Sequence, residues 1–252
     1  MKKYMVGLFL ITPTIMAFGC FGQEAGKVIN QQSQAWVSIN SVVRLTNKWG
    51  FVADVHERRN HFFAEPGFHF VRGGINYWVN DNLTVTAGYA HLWLAPTIQG
   101  WKTFADENRL YVQAQLATKI GRLSMLQRIR NEQRWQEKII NDKATGDNKF
   151  TDRVRYLLYF TIPVFKNPKY PSLAVADELC IQFGKEIVYN TFDQNRAFIG
   201  IKQRLSKSLS FDLGYMVCLQ QKATGNAYDE NHTFRCFFYF MPDFRKTSHT
   251  HK

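Results

Sequence analysis

Arg128-Ile-Arg-Asn-Glu-Gln-Arg134, followed by Arg153-Val-Arg-Tyr-Leu-Leu-Tyr-Phe-Thr-Ile162, alternates charged and apolar residues almost one for one. On a strand, successive side chains point to opposite faces. Arg128, Arg130, Glu132, Arg134, Arg153 and Arg155 therefore share one face, while Ile129, Val154, Tyr156, Leu158 and Phe160 share the other. The same alternation recurs along most of the chain, and no long apolar helix-forming run follows the first segment. This pattern predicts an all-β chain: an antiparallel transmembrane (outer-membrane) β-barrel of about 10–12 strands with a charged lumen.

The first residues read as a secretory leader. Lys2 and Lys3 precede an apolar run from Met5 to Phe18 and small residues leading to Gly22. Pro13, between Thr12 and Thr14, makes this run a poor permanent span. The organisation expected is a cleavable signal peptide over residues 1–22 and one barrel domain over 23–252 in the Gram-negative outer membrane. Ala17-Phe-Gly-Cys20 also loosely matches a lipoprotein box, so cleavage at Cys20 stays open beside cleavage after Gly22. Beyond the leader, Cys180, Cys218 and Cys236 are odd in number and lack ligand spacing. No disulfide framework, metal or cofactor is expected from them. The formal charge is +12, and the leader carries only Lys2 and Lys3 of it. Such a balance points to acidic partners, namely lipopolysaccharide phosphates in the surrounding lipid and small anionic solutes. Nucleic acid fits neither an export signal nor arginines spread along strands instead of gathered in one basic run.

Strand pairs can be read along the chain. Ala35, Val37, Ile39, Val43 and Leu45 form one row, and Phe51, Ala53 and Val55 continue it opposite Asp54, His56 and Arg58. Val71 to Val79 turns at Asn80-Asp81-Asn82 into Leu83 to Tyr89, and the last strand, Thr233 to Met241, is placed to close the wall. About eleven strands of nine to eleven residues can be counted, whereas barrels of this class favour an even number. Either residues before Gln34 add a twelfth strand, or the first lies outside a ten-stranded wall. Connections near 46, 80, 120, 166 and 207 read as short turns, and those near 60, 98, 142, 187 and 225 as longer loops. The segment Glu137 to Lys149 is hydrophilic and is expected to be a mobile loop. Trp49 and Tyr77 near short turns, with Tyr89, Trp93 and Trp135 near long loops, suit two aromatic belts.

Glu107-Asn-Arg109, the alternating row Arg128 to Arg134, Arg153-Val-Arg155-Tyr156, Asp177-Glu178 and Phe192-Asp-Gln-Asn-Arg196 together resemble a family of bacterial envelope proteins. It is catalogued as domain of unknown function 2490 and grouped with outer-membrane barrels. The resemblance covers roughly residues 34–240 and implies location and fold, with no activity attached. This chain has Asn108 where the family often has a histidine.

Strand parity places Arg58, Arg72, Glu107, Arg109, Arg128, Arg130, Glu132, Arg134, Arg153, Arg155, Glu178, Gln194, Arg196 and Arg235 in the lumen, together with Asp54 and His56. Buried charges must be paired, so one expectation is a salt-bridged plug in which Glu107, Glu132 and Glu178 each hold several arginine forks. Inward arginines outnumber inward carboxylates, which equally suits a narrow anion-preferring pore or a binding cavity. An outer-membrane lipid hydrolase would need a nucleophile beside His56, His61, His69, His91 or His232, and no serine sits in such a motif. No catalytic or metal-ligating residue is assigned. A structural envelope protein and a soluble periplasmic β-sandwich are the remaining alternatives.

Overall fold

The computed structural model describes residues 26–167 and 169–245. The leader read over residues 1–22 lies outside them. Eleven strands follow one another: β1 (Val28–Arg44), β2 (Trp49–Asn60), β3 (Glu65–Trp78), β4 (Leu83–Leu94), β5 (Ala105–Ile120), β6 (Leu123–Ile140), β7 (Lys143–Ile162), β8 (Ser172–Phe183), β9 (Phe192–Arg204), β10 (Leu209–Gln221) and β11 (Ala227–Phe240). Each pairs with its sequence neighbours in antiparallel register. The barrel closes where β1 meets β11 in parallel, from Val28↔Ala227 to Ser41↔Phe240. An odd number of up-and-down strands leaves the first and last pointing the same way, so the closing seam has to be parallel.

This corrects the expectation of an even, wholly antiparallel wall. Among the described residues, those before Gln34 add no twelfth strand; they lengthen β1 back to Val28. A closed wall also overturns the two-layer sandwich.

The strands are longer than the nine to eleven residues expected, from 12 in β8 to 20 in β7. Residues 137–149, expected to be mobile, are instead paired hairpin: Gln136↔Lys149 leads to Ile140↔Lys143 and the turn Asn141-Asp142. Both turn residues have left-handed φ, 50° and 57°, which Asn and Asp tolerate and which suits the twist of a two-residue hairpin. The Asp142 carboxylate accepts the N–H groups of Lys102 at 2.9 Å and Thr103 at 2.7 Å, tying the 95–104 connection to the hairpin tip. The rhythm of short and long connections is weaker than expected. Residues 61–64 form a tight turn on the rim of longer loops, and the connection from Ile162 to Ser172 is long on the other.

Apolar residues line the outer face. Ile39, Val55, Ile75, Val112, Ile129 and Ile199 are each more than half exposed. Trp49 and Tyr77 meet edge-to-face at 4.9 Å on one rim, and Trp135 packs on Phe150 at 5.3 Å near the other. Side chains inside the barrel form its core: Trp36, Tyr159, Phe198, Met216 and Cys218 in one cluster, Phe70, Ala90 and Leu92 in another.

Candidate functional site in the lumen

Charged positions of β5 to β9 that alternate inward meet across neighbouring strands. Register sets Glu132 opposite Arg153, Arg130 opposite Arg155 and Glu178 opposite Arg196. Glu132 is the hub, with Arg153 at 2.5 Å, Arg155 at 2.7 Å, Arg130 at 3.3 Å and Arg109 at 3.8 Å. Glu178 holds Arg128 at 2.6 Å, Arg155 at 2.7 Å and Arg196 at 2.8 Å. Glu107 accepts from Arg109 and, at 2.8 and 3.1 Å, from a two-pronged Arg134. Arg155 bridges the Glu132 and Glu178 groups, so the layer is one connected network. Its central members are almost fully shielded: Glu132 is 2% exposed, Arg130 3% and Arg153 3%. Forks on carboxylates satisfy several donors at once, which is what makes such burial tolerable.

Three further groups complete the lining. On β2 and β3, Asp54 pairs with Arg72. On β10 and β11, Asp212 accepts from Arg235 at 2.9 Å, Tyr239 at 2.7 Å and Tyr159 at 3.1 Å. Arg58 lies 3.4 Å from the centre of the Trp36 ring and 4.4 Å from that of Phe68. Gln194, the uncharged member of the expected set, accepts from Arg196 at 2.9 Å. A cavity of about 2120 Å³ is lined by arginines of every one of these groups, with Glu132 and Asp212 set back behind them.

Small residues shape one wall of this layer. A Cβ on Gly74 or Gly88 would stand 2.5 or 2.7 Å from the Tyr111 hydroxyl, so the paired glycines make room for that ring. The guanidinium groups of Arg72 and Arg130 lie over Tyr111 at 5.4 and 5.1 Å. The glycine pair thus helps set where two cations sit.

Parity reasoning missed Asp193 and Asp212. Asp193 is 2.8 Å from Arg153 and buried beside Gln194, because the register shifts between Cys180 and Ile181 and breaks strict alternation at the start of β9. Asp212 carried a readable signal, since it alternates with Phe211 and Leu213 on β10. With Asp193 counted, the layer between β5 and β9 sets Arg109, Arg128, Arg130, Arg134, Arg153, Arg155 and Arg196 against Glu107, Glu132, Glu178 and Asp193, seven cations to four carboxylates. Among the described residues no histidine side chain hydrogen-bonds to a serine. His69 meets Glu57, His91 meets Asn108 at 2.9 Å, and His232 meets Tyr215 at 2.5 Å.

Fold and lining together define a closed β-barrel with an apolar exterior and a cation-rich, salt-bridged interior. The chain belongs to the family described as protein of unknown function (DUF2490), whose model matches residues 33–229. No curated protein matches the chain.

Proposed function

We propose that this protein spans the outer membrane and that its lumen is a narrow, anion-preferring passage constricted by the arginine–glutamate layer. The excess of arginine over carboxylate in that layer is the observation that carries the reading. Arginine-lined constrictions favour anions electrostatically. Exposed Ile, Val and Tyr around the outer face support the membrane setting, because lipid-facing and lumen-facing residues alternate along spanning strands.

The test is planar-bilayer conductance under a salt gradient, with protein folded into detergent and checked by heat-modifiable gel migration. An anion-selective current that loses its selectivity on Arg130→Ala and Arg155→Ala supports the passage. A silent or cation-selective barrel rejects it. The burial of Glu132, Arg130 and Arg153 favours a second reading, a closed barrel with a structural role in the envelope, for which the folded barrel carries no current.

A further inference from the structure

Arg58 is the odd member of the lumen. The neighbouring carboxylates are committed elsewhere: Glu178 to Arg128, Arg155 and Arg196, Glu132 to four other arginines, and Asp54 to Arg72. Among the described residues no carboxylate lies within salt-bridge reach of Arg58. Its Nε is buried without a hydrogen-bond partner. Trp36 and Phe68 offer it π faces, which attract a cation but accept no conventional hydrogen bond from its N–H edge.

The surroundings deepen the imbalance. Arg196 approaches the same Trp36 ring at 5.2 Å, so two guanidinium groups share one indole. The Nε atoms of Arg72 and Arg128 and both ring nitrogens of His56 are also buried without partners. His56 packs edge-to-face on Phe70 at 4.7 Å, and it borders the same lumen as Arg58, Arg72 and Arg128. Arg58 itself is half-buried, its guanidinium reaching the lumen while its buried Nε goes unmet, and such a donor is costly unless an anion meets it. Guanidinium matches the oxygens of phosphate, sulfate or carboxylate in a two-pronged geometry.

We infer that Arg58, backed by Trp36 and flanked by Arg196, forms the centre of a binding site for a small oxyanion inside the barrel. The inference rests on the reading of the lumen as anion-preferring and adds to it a discrete, saturable site. The occupant is a solute with a phosphate-, sulfate- or carboxylate-type group small enough to enter the lumen.

The experiment is isothermal titration of the detergent-folded full chain with inorganic phosphate, and separately with sulfate and acetate, at constant ionic strength. The expected result is saturable binding of at least one oxyanion at one site, with affinity reduced at least tenfold in Arg58→Gln. Cys218 packs in the same cluster as Trp36 and lines the lumen with Arg58, so Cys218→Asp places an internal carboxylate there and should abolish binding while the barrel keeps its heat-modifiable migration. Wild-type protein without saturable binding of any of the three anions overturns the site. So does unchanged affinity in both variants. Stoichiometric binding by a barrel silent in bilayers removes the passage and leaves the site; an anion-selective current without saturable binding does the opposite.

Discussion

Glu132→Gln removes one charge from the point where Arg109, Arg130, Arg153 and Arg155 converge. Glutamine keeps the shape and one acceptor oxygen but turns an amide NH2 toward guanidinium donors. Seven arginines then face three carboxylates. In a shielded layer, loss of one partner from a buried ion-pair network costs about 3–5 kcal/mol, because the remaining charges stay buried without compensation. Were the layer wet, solvent screening would hold the loss to about 0–1 kcal/mol. Urea unfolding of the barrel in phospholipid vesicles, followed by tryptophan fluorescence, separates the two cases. Adding Arg153→Gln removes a cation that Glu132 had balanced, so the double variant should lose less than the two single losses combined, with a coupling of about 0.5–3 kcal/mol. A loss below about 1 kcal/mol with additive single effects would contradict a dry, coupled layer.

Other perturbations probe separate parts of the account. Gly88→Ala would set a Cβ 2.2 Å from the Gly73 carbonyl oxygen and 2.7 Å from the Tyr111 hydroxyl, so it should destabilise the folded barrel by about 1–3 kcal/mol in the same unfolding assay. Asp212→Asn leaves Arg235 without its carboxylate; a comparable loss of about 3–5 kcal/mol is expected, while Asp212→Glu should retain more of the stability. At the hairpin tip, the Thr103 and Lys102 amides hold the Asp142 carboxyl below its ordinary range. A depressed folded-state value means that the docking contribution is fully present above the ordinary carboxylate range and is lost as pH falls through the lowered value. The Thr103 amide resonance should therefore stay constant near neutrality and shift only at acidic pH; a shift centred at or above the ordinary aspartate value would contradict the contact.

Much of the wall was legible because a strand has a period of two. The row from Arg128 to Arg155 faces inward as alternation dictates, and so do Arg58, Arg72, Glu107, Arg109, Glu178, Gln194, Arg196 and Arg235. Alternation fails where pairing does: the register shift at Cys180 and Ile181 turns Asp193 inward, and no local pattern announces it. Local pattern also says little about closure, since the parallel seam joins segments some two hundred residues apart. The hairpin at 137–149 was hidden by its hydrophilicity. Its strands extend past Gln136 and Lys149, where neither face needs an apolar row, and only the Asn141-Asp142 turn signals it. Arg58 was placed in the lumen by parity, but its lack of a carboxylate depends on how Glu178, Glu132 and Asp54 are shared among strands distant in sequence.

The alternation itself can be measured across β5. Single nitroxide labels at positions 110 to 115, on a background with Cys180, Cys218 and Cys236 replaced by alanine, would be examined in vesicles for collision with oxygen and with a water-soluble nickel complex. Labels at Leu110, Val112 and Ala114 should favour oxygen, the lipid-soluble quencher, while those at Tyr111, Gln113 and Gln115 should be shielded from it. Preferential access of the nickel complex to Leu110, Val112 and Ala114 would place the apolar face in water and contradict the membrane-spanning barrel.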